Sequence, residues 1–449
     1  MKTDLFNDFR AISAKEWKQK IQVDLKGTDY QTLITHTLEG VDIKPFYHAD
    51  TYKHFKNNPQ NDFNIGQELW IRDEKTARHI AQKALQKGAD YFIFYADKTF
   101  DINLLINELD YNSIIIKLDF LDTDFFLQLY QKTQGKAQIF IDPIGHFAQT
   151  GNWYKNQDTD FKNIKVLQEK LPSDYTFINI NTAVYKNGGA NIVQELSYAL
   201  SHTVEYLENF GADTAKQISF TFAVGNHYFF EIAKFQVFRN LLEMIFNEYK
   251  ASVKPLILAQ PGLRNKTIFD PYVNMLRSTM EMMSAVLGGA DIISNLPYDS
   301  VYKKSNEFSE RIARNQLIIL KEEAYFTEAL NSFEGNYYLE NISHQLAEKS
   351  LELFKLIEKS GGLLAQLYKG KIQEKIAENA QKEQAFFDKG ELVLVGTNKY
   401  INEDEIPENI DFYPFMKKRS GQTLIRPVIA KRLAENLEVA RLKKLNIHF

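Results

Sequence analysis

The chain has 449 residues, of which 44% are hydrophobic and 25% charged, a composition typical of a large globular protein. Its formal net charge of -4 gives no reason to expect a nucleic acid or a membrane surface as partner, and the absence of cysteine excludes disulfides and a cysteine nucleophile. The sequence has no signal-peptide core and no apolar run of about 18 residues, so we expect a cytoplasmic protein.

The first 70 residues lack a regular pattern. Residues 1–70 carry scattered apolar side chains without a helical or strand period, and Pro45 and Pro59 interrupt any long element. A segment of this length without a core of its own usually lies on another surface. We therefore predict an N-terminal arm over residues 1–70.

Strand-like and helix-like segments alternate from residue 71 onward. A helical stretch at residues 75–87 ends at Gly88, and apolar runs of strand length follow at residues 91–96, 113–118, 138–142, 176–180, 218–224, 255–260 and 291–295. A weaker run at residues 325–331 would supply an eighth strand. The alternation predicts an α/β fold, an eight-stranded TIM-type (β/α)8 barrel over residues 71–343. A doubly wound open sheet is the alternative, although no glycine-rich dinucleotide fingerprint follows the first strand.

The C-terminal hundred residues have mainly helical spacing. Periodic apolar positions predict helices at residues 344–362, 371–389 and 426–445, and the run at residues 391–400 predicts a short strand. We predict a C-terminal, mainly helical extension over residues 344–449.

Two N-terminal segments, WKQKIQVDLKGTDYQTL at residues 17–33 and EGVDIKPFY at residues 39–47, resemble the N-terminal arm of coenzyme B12-dependent methylmalonyl-CoA mutase. Further segments follow in the order of that family: DPIGHFAQTG at residues 142–151, NGGANIVQELSYAL at 187–200, FFEIAKFQVFRNL at 229–241, DPYVNMLRSTMEMMSAVLGGAD at 270–291, ARNQLIILKEE at 313–323 and GNYYLE at 335–340. The resemblance covers nearly the whole chain and implies an arm that wraps a partner subunit.

The chain departs from the catalytic members of the family at three places. Val184 occupies the position of their catalytic histidine, and a valine can neither give nor accept a proton. The window at residues 61–72 lacks the tyrosine that packs against the substrate. None of the nine histidines lies in the cobalt-binding Asp-x-His-x-x-Gly pattern, so we expect no flavodoxin-like cobalamin domain in this chain.

The predicted strands also bear on the barrel interior, which the family's catalytic members keep open as a channel for coenzyme A. The runs at residues 91–96, 113–118 and 255–260 are bulky on both faces, and only the run at 218–224 has a small face, formed by Ser219, Thr221 and Ala223. We therefore predict a bore that is mostly filled by side chains.

Four charged or titratable side chains are candidates for a site. His146 and His227 lie just past strand ends, where barrel enzymes place catalytic groups, although a structural or solvent role is favoured for each. Lys234 and Arg239 could reach a phosphate or a carboxylate, although an exposed helix charge or an intersubunit ion pair is favoured for both.

Together the resemblance and its departures imply the small, non-catalytic subunit of a heterodimeric mutase. The implied partner is the catalytic large subunit, which would carry adenosylcobalamin, while this chain would hold no cofactor, no metal and no catalytic residue. The implied interface residues are Trp17, Lys20, Val23, Asp24, Leu25 and Tyr47. Two alternatives stay open: a barrel enzyme acting alone on an acyl-CoA without cobalamin, and a homodimeric structural protein that uses the same arm surface.

Overall fold

The computed structural model describes residues 9–58, 62–330, 333–407, 410–416 and 421–447. Its strands are β1 (Thr35–His36), β2 (Asp42–Ile43), β3 (Asn64–Trp70), β4 (Tyr91–Ala96), β5 (Ile114–Leu118), β6 (Gln138–Phe140), β7 (Ile178–Asn181), β8 (Ile218–Val224), β9 (Ile257–Pro261) and β10 (Ile292–Ser294). Its helices are α1 (Ala14–Asp24), α2 (Glu74–Gln86), α3 (Ile102–Ile106), α4 (Thr123–Lys132), α5 (Pro143–Thr150), α6 (Gln157–Lys170), α7 (Ala183–Gly188), α8 (Ile192–Phe210), α9 (Tyr228–Glu248), α10 (Val273–Gly288), α11 (Glu307–Ile318), α12 (Tyr337–Lys359), α13 (Gly362–Tyr368), α14 (Lys371–Asp388) and α15 (Glu435–Lys444).

Eight parallel strands form a closed barrel. Hydrogen bonds join them in the order β6-β5-β4-β3-β10-β9-β8-β7. A parallel bridge between Ile141, next to β6, and Ile178 on β7 joins the first and last strands of this order and closes the barrel. The Ile141 amide donates to the Phe177 carbonyl over 2.9 Å. The predicted (β/α)8 barrel is therefore confirmed, and the open doubly wound sheet is excluded.

The barrel begins with a strand that the sequence pattern did not reveal. Strand β3 lies inside the range predicted as the arm and pairs with both β4 and β10. The predicted eighth strand at residues 325–331 is wrong, because residues Phe326–Ala329 form a 3-10 helix. Strand β3 was missed because it carries Gln67 and Glu68, polar residues that are uncommon in a buried strand.

The end of the chain differs from its predicted elements. Within the described part of the chain, residues 391–400 contribute one isolated bridge, between Val395 and Lys399, rather than a strand. The last helix begins at Glu435 and not at residue 426, because Pro427 disfavours helical geometry in the residue before it. Residues 424–433 instead cross the loops at one end of the barrel, where the Val428 amide donates to the Ala148 carbonyl over 2.8 Å.

Side chains fill the middle of the barrel. Alternate residues of the strands point inward, and five buried apolar side chains pack together there, from Ile93, Ile115, Phe140, Leu258 and Ile292. Gly66 on β3 completes this layer, because a Cβ at that position would lie 3.2 Å from both Ile292 and Ile93. The prediction of a filled bore is confirmed for this layer. In the described residues no helix is long and apolar enough to cross a membrane.

Candidate functional site

A cavity of about 910 Å³ opens at the carboxyl ends of the barrel strands. Its wall includes residues at or near the ends of several strands, among them Trp70, Lys117, Phe140 and Asn181. The C-terminal extension closes part of the wall, because Val428 also lines the cavity. This is the end of the barrel at which (β/α)8 enzymes bind their ligands, so the cavity is the candidate site.

A layer of hydrogen-bonded polar side chains forms the floor of the cavity, next to the apolar layer in the middle of the barrel. Lys117 Nζ donates to Thr221 Oγ1 over 2.9 Å and to the Tyr95 hydroxyl over 3.2 Å. Thr221 Oγ1 donates in turn to Asn179 Oδ1 over 2.6 Å, and Asn179 Nδ2 donates to Ser219 Oγ over 2.9 Å. The small face of β8 is thus covered by a lysine that reaches across from β5.

The environment of this layer shifts two pKa values in ways that matter for chemistry. Burial lowers the pKa of Lys117 to about 8, with the Glu68 carboxylate opposing part of the shift. Burial, reinforced by the negative charge of Glu68, raises the pKa of Tyr95 well above its usual value. Near neutral pH the floor of the cavity therefore holds a neutral phenol beside a lysine that loses its proton easily.

His146 is the sequence candidate that the structure places at the cavity. Its Nδ1 donates to Asp119 Oδ1 over 2.7 Å, and its ring stacks on Tyr154 with a centroid distance of 3.9 Å. His227 instead precedes helix α9, contacts Phe230, and is not among the residues that line the cavity. The structure therefore separates the two histidine candidates.

Val184 lies in the cavity wall. It belongs to the short helix α7, is 7% exposed, and packs in the main hydrophobic core. Asp142 is close by and anchors this region by accepting from Tyr206 over 2.7 Å and from the Asn181 amide over 2.9 Å. Burial raises the pKa of Asp142, but His202 and the amides that it accepts from outweigh burial and hold the pKa below its usual value.

The residue window without a tyrosine also reaches the cavity. Residues 64–70 of this window form β3, whose Trp70 stacks on Tyr95 at a centroid distance of 5.3 Å. The guanidinium of Arg72 lies over the Trp70 ring at 5.4 Å from its centroid. A tryptophan and an arginine thus form this part of the cavity wall.

Lys234 and Arg239 are buried, so the expectation of exposed helix charges is wrong for both. Lys234 is completely buried and pairs with Glu195 at 3.1 Å and with Glu231 at 2.5 Å, while Arg239 pairs with Asp291 at 2.9 Å. The reason is the position of helix α9, which is covered by α8, α10 and α12. The two side chains hold the barrel's outer layer together and do not reach the cavity.

The carboxyl group of Glu310, on the rim of the cavity, has a raised pKa. Glu310 on α11 is 7% exposed, accepts from Gln67 Nε2 over 2.9 Å and also accepts from the Ser305 hydroxyl. Burial raises the pKa of Glu310 to about 7, although the positive charge of Arg314 and the bond from Gln67 oppose the shift.

The arm presents an exposed apolar surface. Every residue of α1 is at least partly exposed; Val23 is 71% exposed, and Trp17 remains 45% exposed although its ring stacks on Phe46 at 4.6 Å. Lys20 and Asp24 form an exposed ion pair of 2.6 Å. Leu25 and Tyr47 are half-buried, and the Tyr47 ring lies 5.5 Å from that of Tyr338. Of the predicted interface residues, four are therefore exposed and two are half-buried. The exposed ones are Trp17, Lys20, Val23 and Asp24, and the half-buried ones are Leu25 and Tyr47.

Among the described residues, the imidazole in the cavity wall is that of His146. Its Nδ1 donates to Asp119, and one face of its ring stacks on Tyr154. The extension narrows the same opening through Phe412 and Val428. Across the described ranges, no group of three or more His, Cys, Asp or Glu side chains could hold a metal ion.

A closed (β/α)8 barrel with a polar cavity at the carboxyl ends of its strands and an exposed N-terminal arm defines the class of this protein. Comparison with known families then assigns it: the methylmalonyl-CoA mutase family model matches residues 128–445, so the chain belongs to the methylmalonyl-CoA mutase family. The family predicted from the sequence motifs is confirmed.

The relatives include proteins named as small or large subunits and one named simply as a methylmalonyl-CoA mutase. The chain is 31% identical to the methylmalonyl-CoA mutase small subunit of Porphyromonas gingivalis, covering 90% of this chain and 72% of that protein. It is 34% identical to a methylmalonyl-CoA mutase of Cereibacter sphaeroides over 55% of this chain and 36% of that protein. The large subunit of Porphyromonas gingivalis is 31% identical over 53% of this chain and 34% of its own length. The chain thus spans only about a third of these longer relatives.

Proposed function

We propose that this chain is the non-catalytic small subunit of a heterodimeric methylmalonyl-CoA mutase. The holoenzyme would interconvert methylmalonyl-CoA and succinyl-CoA, with adenosylcobalamin and the catalytic groups on the large subunit. The observation that carries the proposal is Val184 in the cavity wall, at the position where the family resemblance expects the catalytic histidine. A valine side chain has no atom that could protonate or hydrogen-bond a thioester carbonyl.

The proposed partner is the large subunit, because Porphyromonas gingivalis has both a small and a large subunit that resemble this chain. The arm is the proposed contact surface. Its exposed apolar side chains, Trp17 and Val23, would lose contact with water on binding, and a tryptophan is a frequent anchor of protein interfaces. A cytoplasmic location is part of this proposal, on the ground that the sequence has no cysteine.

Complex formation with a large subunit tests the proposed partner. Light scattering of a mixture should give the mass of a one-to-one complex, and Trp17→Ala should weaken that complex at least tenfold. Trp70→Ala is the matched control, because Trp70 is similarly exposed at 43% but lies on the barrel and not on the arm. Equal affinities for the two variants would remove the arm from the interface, and a mixture without a complex would refute the proposal.

A second candidate function is an acyl-CoA-binding barrel enzyme that acts alone. The open cavity of about 910 Å³ favours it, because a purely structural subunit has no need of such a space. Propionyl-CoA and succinyl-CoA should then raise the melting temperature of the isolated chain. No shift with either ester at millimolar concentration would eliminate this candidate.

A further inference from the structure

Lys117 lies near the carboxyl end of a barrel strand and lines the cavity, which is where (β/α)8 enzymes place their reactive groups. It lies next to the last residue of β5 and points inward, since Ile115 two residues earlier belongs to the inner apolar cluster. Below it lies that cluster, and above it opens the cavity. The side chain is only half-buried, so a small molecule in the cavity can reach the amine.

The hydrogen bonds of Lys117 match a neutral amine. Thr221 Oγ1 commits its hydrogen to Asn179, so it can only accept from Lys117, and the Tyr95 hydroxyl is the second acceptor. A neutral amine has two N–H donors and one lone pair, whereas an ammonium has three donors. Both donors of the neutral form are therefore used, and its lone pair stays available.

Other interior lysines are held differently. Lys266 donates to both carboxylate oxygens of Glu281, at 2.7 and 2.9 Å, and Lys234 pairs with two glutamates. Among the described residues, Lys117 has no such ion pair, and its two partners are neutral hydroxyl groups. A partly buried amine that forms no ion pair with a carboxylate is an arrangement in which a lysine can act as a nucleophile toward carbonyl groups.

We propose that Lys117 is an amine nucleophile that binds small carbonyl compounds, aldehydes or 2-oxo acids, as an imine in the cavity. The nitrogen lone pair forms a bond to the carbonyl carbon, the C=O π pair moves to oxygen, and a proton passes from nitrogen to that oxygen. The C–O bond then breaks, and the oxygen leaves as water with a second proton from nitrogen. The products are the imine and one water molecule, without any oxidant.

Tyr95 is placed to assist these proton transfers. Its hydroxyl lies 3.2 Å from Lys117 Nζ, within hydrogen-bond reach of an oxygen added next to the nitrogen. The Tyr95 hydroxyl donates to Gln260 Oε1 over 3.5 Å and also bonds to Glu68. Because burial keeps the phenol protonated, rotation of its O–H away from these acceptors would let Tyr95 donate to the developing hydroxyl group. This inference concerns an activity separate from the proposed subunit role, and either can fail without the other.

Reductive trapping of the full-length chain tests the inference. Glyoxylate with cyanoborohydride converts an imine into a stable adduct, and peptide mapping by mass spectrometry measures the adduct on each lysine. At pH 7.5 we expect Lys117 to label at least about tenfold faster than the exposed Lys98, since a lysine with a lowered pKa has far more free amine. Lys266 is the matched buried control and should stay unlabelled, because Glu281 occupies its amine.

Two further measurements separate imine chemistry from anion binding. Propionaldehyde has no carboxylate, and it should label Lys117 with the same preference as glyoxylate. The labelling rate should rise with pH and reach half its maximum near pH 8, where Lys117 loses its proton. A Lys117 that labels no faster than Lys98, or that reacts with glyoxylate and not with propionaldehyde, would overturn the inference. The folded variant Lys117→Met should lose the preferred adduct.

Discussion

Lys117 on β5 donates a hydrogen bond of 2.9 Å to Thr221 on β8, so one side chain spans the barrel from its third strand to its sixth. This bond closes the bore just above the apolar layer that contains Ile115 and Phe140. The cavity therefore has a polar floor and does not continue as a channel through the barrel.

Removing the hydroxyl group of Thr221 should destabilise the barrel. Thr221→Val leaves Lys117 with one partner fewer and leaves Asn179 Oδ1 without its donor. Buried polar groups that lose their partners cost about 1–3 kcal/mol each, so we expect the free energy of unfolding in urea to fall by about 2 kcal/mol. Thr28→Val, at an exposed position on the arm, should change it by less than about 0.5 kcal/mol. Equal effects would show that the polar floor contributes nothing to stability.

The raised pKa of Glu310 predicts a dependence of stability on pH. A carboxyl group whose pKa is about 7 in the folded chain binds more protons there than in the unfolded chain, whose usual pKa is near 4.5. The protonated carboxyl group therefore contributes its full stabilisation below pH 4.5. As the pH rises from 4.5 toward 7, this contribution to the free energy of unfolding is lost, by up to about 1.4 kcal/mol per pH unit.

The variant Glu310→Gln isolates this dependence. Between pH 4.5 and pH 8, the free energy of unfolding of the wild type should fall relative to that of Glu310→Gln by up to about 3 kcal/mol. Glu307→Gln on the same helix is the control, since its side chain is 73% exposed, and its difference should stay nearly constant. A flat profile for Glu310→Gln would mean that the carboxyl group is not perturbed.

The buried lysine of helix α9 should be critical for folding. Lys234→Met leaves Glu195 without its cation and Glu231 with Lys186 alone, at 3.4 Å. Removing one partner of a buried ion pair costs about 3–5 kcal/mol. Lys216→Met breaks an exposed pair with Asp213 and should cost less than about 0.5 kcal/mol. Chemical denaturation of the two variants compares the costs. Similar small losses for both would contradict the assignment of Lys234 as a structural cation.

An acidic residue on the arm should weaken association without harming the fold. Val23 is 71% exposed in the isolated chain, so Val23→Asp should leave the melting temperature within about 2 °C of the wild type. If the arm binds the large subunit, a charge at this apolar position should lower the affinity at least tenfold. The exposed substitution Lys98→Asp on the barrel should leave the affinity unchanged, and a similar loss there would point to a general charge effect.

Much of the barrel was predictable because its strands are apolar runs of strand length. Strand β3 was not, because the partners that satisfy its polar residues come from distant parts of the chain. Gln67 Oε1 accepts a hydrogen bond of 2.5 Å from the Arg314 guanidinium, and the Glu68 carboxylate accepts one from the Ser294 hydroxyl. A local pattern of hydrophobicity cannot show such partners.

The candidate site was less predictable than the fold. Lys117 and Tyr95 each lie within an apolar run, and that pattern predicts side chains that fill the bore. Their meeting with Thr221 depends on the register of three strands, which appears only when the barrel closes. Lys234 was assigned to the surface because the sequence does not show that three helices cover α9.

Turnover of methylmalonyl-CoA with adenosylcobalamin tests the central proposal most directly, measured for this chain alone, for a large subunit alone and for their mixture. The account predicts no succinyl-CoA from the lone chain, because Val184 offers no catalytic group at the position of the family's histidine. It also predicts turnover in the mixture. Cobalamin-dependent turnover by the lone chain would contradict the account.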